Sequence, residues 1–126
     1  MRIVVGGQIE KALVAKTLQQ QFEQHNIEAD IHITSDIEAA MAIKSGNADY
    51  YFGACNTGGG GALAMAIALL GADKCATLGM PGKVLSDAEI IQQIQAGKIA
   101  FGFTGQDTEK IVPLVVKQLI DHSDNA

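Results

Sequence analysis

Residues 50–70, YYFGACNTGGGGALAMAIALL, pass from an aromatic run through four consecutive glycines into an unbroken stretch of small and apolar residues. Tyr50-Tyr51-Phe52 has the composition of a buried strand. Gly60 to Leu70 is apolar all round, as a helix packed against a sheet or another subunit must be. The segment Gly53 to Gly61 between them is then the turn from a strand into a helix N-terminus. A strand feeding directly into a buried helix points to an α/β domain.

The flanking sequence extends this pattern in both directions. On the amino side, Ile3-Val4-Val5 closed by Gly6-Gly7 reads as a central strand buried on both faces. From Gln8 to His25, apolar residues at Ile9, Ala12, Leu13, Ala15 and Phe22 recur with the helical period. Glu28 to Thr34 alternates, with Ala29, Ile31 and Ile33 on one face and Asp30, His32 and Thr34 on the other, as a half-exposed edge strand does. Ser35 with Glu38 is a capping-box pattern opening a helix through Ala39, Ala40, Met41 and Ile43 to a stop at Gly46. On the carboxyl side, Lys74 to Leu78 reads as a fourth strand. Ser86 with Glu89 repeats the capping box before a helix ending at Gly97, and Ile99 to Phe103 is a fifth strand closed by Thr104-Gly105. A last helix, Asp107 to Asp121, carries Ile111, Leu114, Val115 and Ile120 inward, with Pro113 kinking it or marking its start.

Alternating strands and helices with short connections predict one three-layer α/β/α domain spanning 1–126, built on a five-stranded, mainly parallel, Rossmann-like sheet. The chain has 126 residues, 48% of them apolar, enough for one core and too few for a second domain. Net charge is −5 and the nine cations are scattered, so the basic footprint of a nucleic-acid or acidic-membrane surface is missing. The longest apolar run, Ala62 to Leu70, is about half of the ~20 residues that span a bilayer. MRIVVGG carries no secretory signal pattern, which makes the cytoplasm the expected location. Cys55 and Cys75 lack metal-like spacing and suggest no disulfide framework; no clustered ligand set predicts a metal, and no cofactor is expected.

Ligands of parallel α/β sheets sit at the carboxyl ends of the strands. Five loops share that edge: Gly6-Gly7, Thr34-Ser35, Ala54 to Gly60, Gly79 to Lys83, and Thr104-Gly105-Gln106. In the third, glycines Gly58, Gly59, Gly60 and Gly61 remove every Cβ beside a helix start, so backbone N–H groups and the helix dipole can meet an anion closely. The same glycines would also serve a tight turn and close helix packing. The pattern lacks the lysine of the nucleotide-binding P-loop and the spacing of the dinucleotide fingerprint, which leaves a smaller phosphate or carboxylate. Cys55, just before the helix start, is placed either to act as a base or nucleophile or to pack as a small hydrophobe. Asn56 and Thr57 can bond a ligand or the turn itself. Lys83 is a candidate anion contact, and Gly6 and Gly7 complete the candidate ligand edge. His25, His32 and His122 are poorly placed to serve Cys55 as a partner.

Residues Ile43-Lys44-Ser45-Gly46, Ala48-Asp49, Gly53, Cys55, Thr57-Gly58 and Gly60 resemble the middle of the type B ribose-phosphate and galactose-phosphate isomerases. The resemblance implies a parallel α/β dimer in which Cys55 is the base, while Thr57 with Gly58 to Gly60 holds the oxyanion end of a sugar phosphate. Two segments depart from it. The family's Asp-His pair after the first strand is replaced by Gly6-Gly7-Gln8, and its histidine-rich segment after the fourth strand by Met80-Pro81-Gly82-Lys83. Over its whole length the chain resembles the YhfU-like proteins, a small bacterial family of unassigned function sharing the DYY-x-GACNTG-x-G core. Two expectations follow. One is a binder of a small anionic, sugar-phosphate-like metabolite with isomerase-like proton transfer at Cys55 and a homodimeric or higher assembly. The other is a non-catalytic accessory subunit whose glycine loop and apolar third helix serve assembly.

Overall fold

Three short runs of β-branched, aromatic and small residues form the centre of the sheet: β1 (Arg2–Gly7), β3 (Tyr50–Cys55) and β7 (Ala100–Thr104). The computed structural model describes residues 1–56 and 59–124, with Gly59, Gly60 and Asp124 described by their backbone alone. The remaining strands are β2 (Asp30–Ile33) and β4 (Cys75–Thr77), and all five pair in parallel in the order β2-β1-β3-β7-β4. Helices α1 (Lys11–Gln24), α2 (Asp36–Lys44), α3 (Gly59–Leu70), α4 (Asp87–Gln95) and α5 (Thr108–Asp124) make the crossovers and the final cover.

Strand alternation divides the core into two layers. Ile3, Val5, Phe52, Phe101 and Phe103 face α1, α4 and α5 and meet Leu18, Phe22, Ile90 and Val115. Phe52 and Phe101 lie 5.4 Å apart in a tilted pair, a geometry that adds about 1 kcal/mol to the burial itself. Val4, Tyr51 and Ala100 face α2 and α3, which approach through Ala39, Ala40, Leu63 and Ala66. Small residues on this side let α2 and α3 lie close to the strands. Their outer surface keeps Ile37, Met41 and Ile67 exposed, so α3 is apolar all round without being buried all round.

Helix ends follow local chemistry. Ser35 and Ser86 accept hydrogen bonds from the Glu38 and Glu89 amides, each at 3.2 Å, and at Ser86 the reciprocal bond from its own N–H to the Glu89 carboxylate is present too. At the end of α2, Gly46 and Asn47 donate to Ile43 and Ala42, the paired bonds of a Schellman stop.

Several elements differ from the sequence reading. Helix α1 starts at Lys11 instead of Gln8, because Glu10 turns left-handed at φ 56° and the Gln8 and Ile9 amides bond back to Ala54. Ile33, expected on the buried face of β2, is exposed at the strand's end. Strand β3 runs on through Gly53 to Cys55, and β7 includes Thr104. The stretch expected as a loop from Gly79 to Lys83 is a small antiparallel hairpin, β5 (Gly79–Met80) and β6 (Lys83–Val84), around Pro81-Gly82. Helix α5 begins five residues ahead of Pro113 and runs through it.

Candidate active site at the carboxyl edge of the sheet

From β1 the chain passes to β2 on one side and then crosses back to β3 on the other side of β1. The carboxyl ends of β1 and β3 therefore flank the topological switch point, where α/β sheets open a crevice. One carbonyl ties the two loops together there: Ala54 accepts from the Gln8 amide at 2.8 Å and the Ile9 amide at 3.2 Å. This holds Gln8 outside the helix, with its side chain laid over the first turn of α3. A Cβ at Gly61 would stand 3.2 and 3.3 Å from the Gln8 amide oxygen and nitrogen and 3.4 Å from the Cys55 sulfur. The carboxamide, the thiol and the start of α3 thus converge on one point.

Beneath them lies Tyr51. Its ring occupies the space above Gly6 and Gly53, where added Cβ atoms would meet ring atoms at 2.8 and 3.0 Å. Its hydroxyl donates to the Ala62 carbonyl at 2.6 Å and accepts from the Gly7 amide at 3.2 Å, joining the first turn of α3 to the end of β1. Burial, then the nearby Asp36 carboxylate, pushes the phenol well above its ordinary range, so it is a neutral structural bolt. Removing the hydroxyl leaves a buried amide unpaired, and Tyr51→Phe is expected to cost about 1–2 kcal/mol at pH 7. The folded-state pKa is raised, so the tyrosine's contribution is complete below the unfolded value of about 10 and declines as pH rises above it. Urea midpoints at pH 7 and in the alkaline range check both points: equal midpoints for the two proteins at pH 7 would refute the bolt, and the alkaline loss should be shallower in the variant.

Cys55 is fully buried at the end of β3, and in the parallel register it stands opposite Thr104 of β7. Register partners in parallel strands project to the same face, so the thiol and the hydroxyl are neighbours on the α3 side. Among the described residues the buried polar side chains include three threonines. Thr17 donates to the Leu13 carbonyl at 2.7 Å and Thr108 to the Gly105 carbonyl at 2.6 Å, whereas the Thr104 Oγ1 has no hydrogen-bond partner among the described residues. An unpaired buried hydroxyl costs about 1–3 kcal/mol, so a fold does not keep one without cause.

The sequence-derived candidates separate in space. Cys55 and Gly61 meet at the site, and Gly59 and Gly60 open α3 beside it. Asn56 is exposed in the turn that follows β3. Thr57 and Gly58 lie outside the described residues. Gly6 makes room for the Tyr51 ring, and Gly7, at φ 81°, packs on the Ala54 backbone. Lys83 is exposed on the hairpin, where its charge acts on Glu89 at the start of α4. His25 follows the end of α1, His32 is exposed on β2, and His122 is in the last turn of α5. Gln8, Lys11 and Thr104 also lie at this edge and are not among the sequence-derived candidates. Lys11 reaches this edge through its ammonium, which donates to the Thr34 carbonyl at 2.7 Å. Among the described residues no group of three His, Cys, Asp or Glu side chains is placed to hold a metal ion, and no helix is long and apolar enough to cross a membrane.

The fold is Rossmann-like α/β, a class in which ligands sit at the carboxyl ends of the strands. Residues 1–119 match the family described as Protein of unknown function DUF2620, and the chain belongs to that family. The Uncharacterized protein YhfU of Escherichia coli strain K12 is 42% identical over 108 residues, covering 81% of this chain and 92% of the relative, and YhfU of Shigella flexneri matches to the same extent. Among solved structures, ribose-5-phosphate isomerase B from Giardia lamblia superposes with a TM-score of 0.64 at 17% identity, over 95% of this chain and 87% of its own. A ribose 5-phosphate isomerase from Thermotoga maritima gives 0.66 at 15%, over 94% and 85%. A 4-deoxy-L-threo-5-hexosulose-uronate ketol-isomerase complexed with a tartrate gives 0.67 at 14%; the match covers 96% of this chain but only 64% of that longer one. At these identities the likeness is one of fold, and it agrees with the five-stranded parallel α/β architecture expected from the sequence.

Proposed function

We propose that this protein binds a small anionic sugar, a sugar phosphate or uronate, in the crevice between β1 and β3 and moves a proton on it with Cys55 as the base. The observation that carries this reading is the convergence of the Cys55 thiol and the Gln8 carboxamide on Gly61, in the first turn of α3 at the switch point. A helix start is the natural seat of an anionic group, because its first N–H groups have no partners within the helix and its dipole favours negative charge. The thiol beside that seat is buried, and an electrostatic interaction with a bound group is stronger there than in water. The superposed structures, whose names describe sugar isomerases, support the same class of ligand.

Gly61→Val tests the site. A side chain there enters the space shared by the carboxamide and the sulfur, both flexible or terminal groups, so the fold should persist while the seat is filled. In a thermal-shift panel of ribose 5-phosphate, glucuronate, tartrate and inorganic phosphate, the native protein should gain stability with at least one probe. A ligand at 100 times its Kd adds about 2.7 kcal/mol. The variant should show no gain with that probe. Equal gains in both proteins, or none in the native one, would remove the reading.

A further inference from the structure

We infer that Thr104 and Gln8 form an uncharged subsite beside Cys55 that takes a hydroxyl or carbonyl oxygen of the ligand, an assignment that rests on the sugar-anion reading above. Thr104 is 6% exposed and its Oγ1 is unpartnered, although the two other buried threonines each bond a nearby carbonyl. At this position valine would fill the same volume, favour the strand equally and leave no polar atom buried. The hydroxyl therefore answers to something other than packing. Its placement says what: it stands in register with Cys55, on the face that α3 covers.

Gln8 supplies the other half. Its amide oxygen and nitrogen both lie over Gly61 within van der Waals distance of the point that the Cys55 sulfur also reaches. A hydroxyl and a carboxamide each donate and accept, and neither carries charge. Such a pair suits an oxygen that itself donates and accepts, or a carbonyl that needs a donor, and gives a second anion nothing to neutralise. The ligand is accordingly bipolar, with its anionic end at the start of α3 and a neutral, oxygen-bearing carbon beside the thiol. That arrangement separates a phosphorylated or carboxylated sugar from inorganic phosphate or a simple dicarboxylate.

Thr104→Val and Thr104→Ser test the assignment by calorimetric titration with ribose 5-phosphate, glucuronate and inorganic phosphate. The native protein should bind one of the two sugar anions at least tenfold more tightly than inorganic phosphate. Thr104→Val should weaken that sugar anion about fivefold to tenfold, the effect of one neutral hydrogen bond, and leave phosphate unchanged. Thr104→Ser should bind as the native protein does. Without ligand, Thr104→Val should melt at or above the native temperature, because it relieves an unpaired group. Undiminished sugar-anion binding by Thr104→Val would overturn the subsite while leaving the anion seat intact, as would a native protein that binds phosphate as well as either sugar. A drop of several degrees in the ligand-free melting point would overturn it too, by showing the hydroxyl to be structural. Absence of binding by any probe would remove the underlying reading and the subsite with it.

Discussion

Gly7→Ala should lower stability by about 3–4 kcal/mol, and the size of that loss comes from one contact. Gly7 and Gly46 have nearly the same left-handed backbone, at φ 81° and 82°. Any L-residue placed at either position therefore meets a similar conformational penalty, about 1 kcal/mol for alanine. The surroundings differ. At Gly46 a Cβ meets nothing within 4 Å, whereas at Gly7 it would stand 2.5 Å from the Ala54 nitrogen and 2.7 Å from its oxygen. Those are backbone atoms of the central strand, and the oxygen is the one that holds the Gln8 and Ile9 amides. To accept the methyl group, β1 and β3 must separate at the switch point, with loss of the Gly7 bond to Tyr51. Paired urea denaturation of Gly7→Ala and Gly46→Ala isolates the contact, since the conformational term cancels in the difference. Losses equal within about 0.5 kcal/mol would show that the two loops are not in the close packing described.

The elements that the sequence made readable are those with a local cause. A short apolar run is a buried strand wherever it falls, which located β1, β3 and β7. Ser35 and Ser86 announce helix starts because their partners, Glu38 and Glu89, are three residues away. Gly46 ends α2 by bonds to carbonyls within the same helix. The site was legible only where it shared this property. Cys55 and the glycines of α3 are contiguous, so the strand-to-helix turn pointed to them. Gln8 was not, because the bonds that keep it out of α1 run to Ala54, 46 residues along the chain, and helical periodicity extends smoothly over it. Thr104 read as a strand terminator, and only the register with β3 shows it to be the last strand residue beside Cys55. Gly6 presents the same difficulty from the other side. A glycine at a strand end invites a ligand in sequence terms, and here a tyrosine ring from the neighbouring strand takes the room. The hairpin at Gly79 to Val84 escaped for a simpler reason, since two-residue strands are too short to carry a period.

Cys55→Ala should reduce proton transfer on a bound sugar anion by about a thousandfold, within the range removed with a general base, while changing its Kd by less than about threefold. In the proposed step the thiolate takes the proton from the carbon next to the carbonyl. The C–H electron pair becomes the new carbon–carbon π bond, and the carbonyl pair moves to oxygen to give an enediolate. Return of the proton to the former carbonyl carbon, with transfer of the hydroxyl proton between the two oxygens, completes an aldose–ketose exchange without any redox partner. In this reading the Gln8 carboxamide beside the sulfur supplies the donor that the developing negative charge needs, and the start of α3 holds the anionic end of the ligand, so binding should survive removal of the sulfur. The measurement is proton NMR of ribose 5-phosphate or glucuronate in deuterated water, following the disappearance of the signal next to the carbonyl. Native protein should wash it out, Cys55→Ala should not, and calorimetric titration should find the two proteins binding alike. Exchange that persists in Cys55→Ala would take the base role away from this residue. Exchange absent from the native protein, with binding retained, would leave a seat for a sugar anion and no catalyst, because the thiol would then be only a small buried side chain at a strand end.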